Sequence, residues 1–348
     1  MKYKLLGNSG LRVSELCLGA MTFGEEFGWG ASKKESKKIF DAFAEAGGNF
    51  IDTANKYTLG TSEKYCGEFI YQQREHFVLA TKYTLTMKED DPNFCGNHRK
   101  NMIQSVEASL KRLNTEYIDL LWLHAWDYMT PQEEIMRALD DLVRMGKVFY
   151  IGISDTPAWI VSRANMLAEL RGWTPFVGLQ IKYSLLERTV ERELLPMARA
   201  LDLAVTPWGV IGGGVLTGKY KKSGNKIEAE DSERVKTRET VPDRDLEIAA
   251  KVQEIAKKRG VSAAQVAINW ARQQKGVIIP IIGARKEEQI KDNLKCLEFE
   301  LNQDELDALD RVSKVDLGFP HEFLHSESII KVLFGETFDQ TENHRSFL

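Results

Sequence analysis

The sequence predicts an α/β fold and, within that class, a (β/α)8 barrel. Eight short apolar runs alternate with segments of helical periodicity, which is the pattern of parallel βαβ units. The runs are almost continuously apolar, as is typical of strands covered on both faces. Eight units in roughly 280 residues favour a closed barrel over an open doubly wound sheet. The first strand is not followed by a GxGxxG turn, which also disfavours the open sheet.

The elements follow one another along the chain in a regular order. A hairpin is predicted first, with its turn at Asn8-Ser9-Gly10. The inner strands are predicted at 16–20, 49–52, 77–82, 117–123, 148–153, 177–182, 203–208 and 277–282. The helices are predicted from Ser32 to Gly47-Gly48, at about 62–71, 98–113, 131–145, after Thr156-Pro157, at about 191–201, 245–259 and 262–274, and from Glu287. We expect one domain over 1–348, with a core of about 3–313 and a tail, 314–348, that packs on the barrel.

Composition excludes several classes of function. The net charge is −4, so no strongly basic surface is expected to bind nucleic acid. The N-terminus has no apolar run of signal-peptide length, and no stretch approaches the roughly 20 apolar residues that span a bilayer. The four cysteines are scattered and are expected to be free thiols in the cytoplasm. The His321-x3-His325 pair lacks a third ligand, so no metal site is predicted.

Polar side chains follow several predicted strands at the point where each strand ends. Asp52, Lys82 and His124 end three of them, and Tyr57 lies five residues after Asp52. Each alone is more often a cap, a solvated lysine or a core histidine, but the carboxyl ends of barrel strands converge on one site. A buried lysine would lower the pKa of the tyrosine, and the aspartate would keep the lysine charged. We therefore expect Tyr57 to exchange a proton with a substrate and His124 to hydrogen-bond a substrate oxygen.

Five motifs give the chain a clear resemblance to the aldo-keto reductases. They occur in the family's order and span roughly 3–313: Asn49-Phe50-Ile51-Asp52-Thr53-Ala54 with Tyr57, Ala80-Thr81-Lys82, Tyr117 to His124, Gly146 to Ser154, and Gly214-Val215-Leu216-Thr217-Gly218-Lys219-Tyr220. The resemblance implies a TIM-type barrel that uses NADPH to reduce aldehydes or ketones. In that mechanism Tyr57 is the general acid, Lys82 with Asp52 tunes it, and His124 orients the carbonyl.

The resemblance also implies which residues bind the cofactor, NADP(H). They are Thr22, Asp52, Ser154, Gln180, Trp208, Gly209, Val210, Gly212, Gly214, Lys219, Gly283, Arg285, Gln289 and Asn293. Ser154 and Gln180 would bind the carboxamide, Trp208 would stack on the nicotinamide, and Arg285 would bind the 2′-phosphate. Three positions depart from the family pattern: Asp155 stands where Asn is usual, and Gly209-Val210 replace Ser-Pro, so that phosphate contacts there must come from backbone N–H groups.

The substrate is expected to be a small carbonyl compound. Its pocket is predicted at Phe23, Tyr57, Tyr83, His124 and Trp126, and the charged segment 221–244 would fold over the dinucleotide. Two other classes remain open. One is an NADPH-binding regulatory or interaction subunit of the same fold with little turnover. The other is a lyase or isomerase that forms a Schiff base on Lys82, which the spacing of Asp52 and Tyr57 disfavours.

Overall fold

The computed structural model describes residues 1–223, 226–229 and 241–342, without the side chains of 221–223 and 226–229. The predicted hairpin is present as β1 (Tyr3–Leu5) and β2 (Arg12–Ser14). The later strands are β3 (Cys17–Gly19), β4 (Phe50–Asp52), β5 (Val78–Tyr83), β6 (Ile118–Leu123), β7 (Val148–Ser154), β8 (Phe176–Lys182), β9 (Ala204–Trp208), β10 (Tyr220–Ser223), β11 (Lys226–Ala229) and β12 (Ile281–Ile282).

Eight of these strands form one parallel sheet in the order β12-β3-β4-β5-β6-β7-β8-β9. A parallel bridge between Val205 and Ile278 joins β9 to the segment before β12 and brings the two ends of the sheet together. The predicted (β/α)8 barrel is thus confirmed. Strands β10 and β11 form a separate antiparallel pair.

The last barrel strand is shorter than the predicted 277–282. Its ladder with β3 covers only Ile281–Ile282, whereas Ile278 pairs with β9 on the other side. Pro280 lies between these two pairings and has no N–H to give to a ladder. The proline therefore divides the run into two short contacts that together close the barrel.

Helices cover the outside of the barrel. They are α1 (Lys33–Glu45), α2 (Thr61–Ile70), α3 (Arg99–Leu113), α4 (Gln132–Arg144), α5 (Ala158–Arg171), α6 (Leu194–Ala200), α7 (Asp243–Arg259), α8 (Ala263–Arg272), α9 (Glu287–Leu294), α10 (Gln303–Ser313), α11 (His321–Leu324) and α12 (Glu327–Phe334). Ser32 caps α1 as predicted by accepting from the Glu35 N–H at 3.3 Å. None of the helices in the described part of the chain combines the length and apolar character needed to cross a bilayer.

Helix α6 starts three residues later than predicted. A short 3-10 turn, Thr189–Glu191, comes before it. A helix that began at Glu191 would put Pro196 beyond its first turn, where each N–H has an intrahelical acceptor. Beginning at Leu194 puts Pro196 in the first turn, where no such bond is lost.

The barrel interior has its own apolar core, separate from the larger layer between sheet and helices. The interior cluster contains Leu6, Val13, Cys17, Phe50, Val78, Ala80, Leu120, Trp122, Val177, Ala204 and Ile279. Leu6 follows β1 and Val13 belongs to β2, so the hairpin closes the N-terminal end of the barrel. A site is therefore expected at the opposite end, where the strands end.

The tail leaves the barrel after α10, and polar contacts join its described residues to the barrel at Arg192 and Glu193. The Asp316 carbonyl accepts from the Arg192 guanidinium at 2.6 Å, and the His321 imidazole lies 3.1 Å from the Glu193 carboxylate. Farther on, large apolar side chains are exposed, and Val332 of α12 is 79% exposed. Packing of the whole tail on the barrel stays a prediction.

Candidate active site

Lys82 is the centre of a buried polar cluster at the C-terminal end of the strands. Its side chain is fully buried and forms an ion pair with Asp52. Its ammonium also donates to the Thr53 carbonyl at 2.8 Å and lies 4.6 Å from the centre of the Tyr57 ring. Strands β4 and β5 are adjacent, with Asp52 opposite Ala80, which brings the end of β5 up to the acid. Asp52 and the Thr53 carbonyl therefore hold the Lys82 ammonium beside the phenol.

Lys82 carries its charge at neutral pH. Burial alone would lower the pKa of the ammonium, but Asp52 and Tyr57 oppose it, and the net direction is upward. The sequence-based expectation that Asp52 keeps Lys82 charged agrees with this direction. A protonated amine has no lone pair with which to attack a carbonyl, so the Schiff-base chemistry considered above is disfavoured.

Tyr57 lies in a strained turn that fixes its position. The next two residues, Thr58 and Leu59, have φ of 45° and 54°. The Thr58 hydroxyl donates to the Phe23 carbonyl at 2.6 Å and accepts from the Ser62 N–H at 3.1 Å. These bonds tie the turn to the loop after β3 and to the start of α2.

The pKa of Tyr57 moves in the opposite direction from the one expected. Burial raises the pKa of the phenol above 10.0, and the neighbouring Lys82 opposes this effect without reversing it. The sequence showed the cation but not the loss of hydration around the phenol. Tyr57 is consequently protonated at neutral pH and has a proton to donate.

His124 stands next to Tyr57 and is uncharged. The two rings meet edge to face, with centroids 5.8 Å apart. Burial, assisted by the charge of Lys82, lowers the pKa of His124 to about 3. Its Nδ1 is buried and has no partner in the described part of the chain. A neutral imidazole keeps one N–H donor, which can hydrogen-bond a carbonyl oxygen.

The positions expected for the nicotinamide adjoin this cluster. Ser154 ends β7 and pairs in register with Gln180 on β8. The Gln180 amide donates to the second oxygen of Asp52 at 3.0 Å. Trp208 at the end of β9 donates its indole N–H to Asp155 at 3.2 Å. The structure therefore brings these four positions to the same rim of the barrel as Asp52, Tyr57, Lys82 and His124, which we call the tetrad.

The glycine-rich loop after β9 adopts a left-handed backbone at several positions. Gly209, Gly212 and Gly214 have φ of 71°, 61° and 98°, which side chains rarely tolerate. The N–H groups of Gly212 and Gly214 donate within the loop, to the Gly209 carbonyl at 2.7 Å and the Ile211 carbonyl at 3.0 Å. Val210 is buried. A phosphate group could thus approach the backbone of this loop closely. Two of the N–H groups expected to bind it, those of Gly212 and Gly214, already donate to carbonyls of the loop.

The positions expected for the adenine end, 283–293, follow β12, which neighbours β9 where the barrel closes. Thr22 donates to the Ala284 carbonyl at 2.6 Å, which joins the loops after β3 and β12. The Arg285 N–H donates to the Gln289 side chain at 2.9 Å, and Asn293 donates to the Gly283 carbonyl at 3.4 Å.

Two more cofactor positions can be placed. The Arg285 side chain is half-buried and has no ion pair within the described ranges. Lys219 is half-buried after the glycine loop, directly before β10. The predicted cover 221–244 falls largely outside the described residues.

Phe23 and Tyr83 were predicted to line the substrate pocket, but the structure places neither of them at the mouth of the barrel. Phe23 is buried and packs edge-on against Phe69 of α2, with ring centroids 6.1 Å apart. Tyr83 is buried under the helices, and its hydroxyl donates to the Asn97 carbonyl at 3.3 Å. Successive strand residues point to opposite faces, so Tyr83 must face outward once Lys82 faces inward.

The remaining pocket residue, Trp126, is half-buried near the rim. It lines a cavity with Tyr128, Met129 and Trp159. A second cavity, of about 370 Å³, is lined by Tyr128, Asp155, Thr156, Pro157, Ile181, Lys182, Glu187, Val190 and Leu194. The cavity with Trp126 lies between the loop after β6 and the starts of α4 and α5, whereas the second one opens between the ends of β6, β7 and β8.

Sequence reasoning missed Lys182. Its ammonium lies 5.9 Å from the centre of the Trp208 ring, and it lines the larger cavity with Asp155. A signal was present, because Lys182 ends β8 two residues after Gln180 and so shares its face of the strand. The lysine adds a cation to the nicotinamide end of the site.

Comparison with known proteins identifies the family. The model of the aldo/keto reductase family matches residues 15–314. The chain belongs to the aldo/keto reductase family. A norsolorinic acid reductase of Emericella nidulans is 41% identical over 328 residues, which cover 91% of this chain and 82% of the relative. An aryl-alcohol dehydrogenase of Pestalotiopsis microspora is 38% identical over 340 residues, which cover 95% and 87%.

A third relative supports the same assignment. A putative aryl-alcohol dehydrogenase of Saccharomyces cerevisiae is 37% identical over 334 residues, which cover 92% of this chain and 89% of the relative. The named relatives are oxidoreductases, so this aldo/keto reductase is a carbonyl or alcohol oxidoreductase by family. The matched region contains the whole barrel from β3 to α10 and the four-residue cluster around Lys82.

Proposed function

We propose that this aldo/keto reductase is an NADPH-dependent enzyme that reduces aldehydes or ketones to alcohols, with Tyr57 as the general acid. The observation that carries the proposal is the buried contact of Lys82 with both Asp52 and Tyr57, beside a neutral His124. The chain would act as a single cytoplasmic domain, 1–348.

The tetrad suits proton donation to a developing alkoxide. Tyr57 holds a proton at neutral pH, since burial raises its pKa. Lys82 stabilises the phenolate that remains once the proton has left, because its charge lies 4.6 Å from the ring centre. Asp52 holds Lys82 in place, and the His124 N–H orients the substrate oxygen.

The residues present fit a nicotinamide dinucleotide. When bound, such a cofactor supplies the hydride that reduces the carbonyl carbon. Ser154, Gln180 and Trp208 would hold its nicotinamide end, and the left-handed glycine loop would admit its diphosphate. The half-buried Arg285, without a carboxylate partner in the described ranges, fits a 2′-phosphate, since guanidinium binds phosphate bidentately. This fit favours NADPH over NADH.

The substrate class follows from the relatives' names and from the rim. Relatives are named for norsolorinic acid and for aryl alcohols. The aromatic side chains of Trp126, Tyr128 and Trp159 border one cavity at the mouth. Flat aromatic rings suit contact with an aromatic substrate. We therefore propose aryl aldehydes and ketones as the preferred substrates.

The direct test is oxidation of NADPH over a panel of aryl aldehydes, aliphatic aldehydes, ketones and sugars, with NADH as the control. We expect the fastest turnover with aryl carbonyls and NADPH. Tight NADPH binding with no oxidation across the panel would overturn the proposal and favour the binding-subunit alternative.

A further inference from the structure

Gln180 and Asp52 are connected across the mouth of the barrel. Strands β4 and β8 are four places apart in the eight-stranded sheet, so they lie on opposite sides. The Gln180 amide nevertheless reaches Asp52 Oδ1 at 3.0 Å. Asp52 is ion-paired with Lys82 and can only accept, so Gln180 must present its N–H2 group there.

The two oxygens of Asp52 are held by different donors. Oδ2 contacts Lys82, and Oδ1 accepts from Gln180. The carboxylate cannot rotate without losing one of these bonds. Lys82 in turn lies 4.6 Å from the centre of the Tyr57 ring, so a continuous chain of contacts runs from Gln180 through Asp52 and Lys82 to Tyr57.

The other end of the Gln180 side chain is an acceptor. Its Oε1 is left after Nε2 binds Asp52, and its side chain is almost fully buried beside Ser154. A primary carboxamide offers the N–H donors that Oε1 lacks. Accepting such a bond polarises the amide and strengthens the bond that its N–H2 group donates.

We propose that Gln180 is a positioning residue that couples the carboxamide of the cofactor to the Asp52–Lys82–Tyr57 chain. This inference rests on the proposed function for the identity of the cofactor. Gln180 holds the Asp52 carboxylate in the orientation that pairs with Lys82, and cofactor binding tightens that hold. Its contribution is therefore to the proton-donating step as well as to cofactor affinity.

The charged and titratable groups around this chain are few. They are Lys82 on β5, Tyr57 after β4, His124 after β6, Asp155 after β7, Cys17 on β3 and Cys66 on α2, whose thiol pKa is raised by burial. Burial raises the pKa of the Cys17 thiol well above 9.0, and His124 is neutral, so neither carries charge near pH 7. A substitution at Gln180 should therefore affect Tyr57 mainly through Asp52 and Lys82.

The first experiment needs no cofactor. The protein is labelled with 15N-lysine, and the Lys82 ammonium signal is assigned by its absence in Lys82→Met. At neutral pH we expect the Lys82 ammonium signal of the wild type to be protected from exchange with water. In Gln180→Met and Gln180→Glu we expect this signal to be shifted or broadened. Ser154→Ala is the matched control, because Ser154 is the neighbouring carboxamide position and, within the described residues, does not hydrogen-bond Asp52 as Gln180 does. It should leave the signal in place.

The second experiment separates binding from catalysis. Gln180→Met and Gln180→Glu should lower kcat at least about 10-fold, which corresponds to 1.4 kcal/mol. Ser154→Ala, which removes another expected carboxamide contact, provides the comparison for a loss of NADPH affinity. Melting curves establish which Gln180 variant is folded, and either one suffices.

Two outcomes would overturn the inference. One is an unchanged Lys82 signal in a folded Gln180 variant. The other is a Gln180 variant that loses only NADPH affinity and keeps the wild-type kcat. A wild type that does not bind NADPH would refute the proposed function instead, and the lysine signal would still decide whether Gln180 positions the chain.

Discussion

Lys82 and Asp52 form an ion pair inside the barrel that is almost wholly out of contact with solvent. The Lys82 side chain is 0% exposed and that of Asp52 is 4% exposed. Such a pair contributes little net stability, because both charges lose their hydration. Replacing only one of the two residues destabilises the fold, because the other charge stays buried without a counterion. The pair therefore ties the stability of the barrel to the site.

Replacing Lys82 with Met should lower the free energy of unfolding by about 3–5 kcal/mol, since Asp52 is left buried and unpaired. Urea denaturation followed by circular dichroism measures the change. The double variant Asp52→Asn/Lys82→Met should recover much of the loss and stay inactive. A loss below about 1 kcal/mol in the single variant would contradict the burial of this pair.

The neutral state of His124 makes stability depend on pH. Its pKa is about 3 in the folded protein against an ordinary value of 6.5. Between these values the unfolded chain binds a proton that the folded protein does not, so stability falls as the pH is lowered below 6.5. The slope is about 1.4 kcal/mol per pH unit.

The variant His124→Gln should remove this dependence. Between pH 7.5 and pH 5 the free energy of unfolding of the wild type should fall by about 2 kcal/mol more than that of the variant. Urea denaturation from pH 7.5 to 4.5 provides the two curves. Parallel curves would show that His124 does not titrate as the structure indicates.

Trp122 occupies space that depends on a glycine in the next strand. A Cβ atom added at Gly152 would lie 2.3 Å from the Trp122 ring. Gly152→Ala should therefore lower the free energy of unfolding by about 1–3 kcal/mol, as measured by urea denaturation. Gly10→Ala is the control, because its Cβ would meet nothing within 4 Å. Adding Trp122→Phe to Gly152→Ala should recover part of the loss, and equal stability of the two alanine variants would contradict this packing.

Arg285 should set the preference between the two dinucleotides. Arg285→Ala should weaken NADPH binding roughly 10- to 100-fold, because charge-assisted bonds to the 2′-phosphate are lost, and should leave NADH binding unchanged. Fluorescence titration with each cofactor measures both affinities. Arg171→Ala, at the exposed end of α5, is the control. Equal losses for NADPH and NADH would show that Arg285 does not contact the phosphate.

Much of the fold was predictable because the strands are apolar runs and the helices carry periodic apolar faces, with a capping residue such as Ser32 at the start of some of them. The tetrad was predictable for a related reason. Side chains at the ends of parallel strands converge, so Asp52, Lys82 and His124 had to meet once the sheet closed. Strand alternation also predicts that Tyr83 points outward, because the preceding residue, Lys82, points inward.

Other features depend on contacts that no local pattern contains. The bond from Gln180 to Asp52 crosses the barrel, and the contact of Trp122 with Gly152 joins two strands at a register that only the closed sheet defines. The upward pKa of Tyr57 depends on how much water the surrounding loops exclude. These are properties of the assembled mouth.

The central claim is that Tyr57 donates the proton. The measurement that tests it most directly is kcat/KM of Tyr57→Phe for reduction of 4-nitrobenzaldehyde by NADPH, with the Kd of NADPH measured on the same protein. We predict a loss in kcat/KM of at least about 100-fold with a Kd close to that of the wild type, because general acid catalysis contributes roughly 10²–10⁴-fold. Reduction by the variant at the wild-type rate would contradict the mechanism.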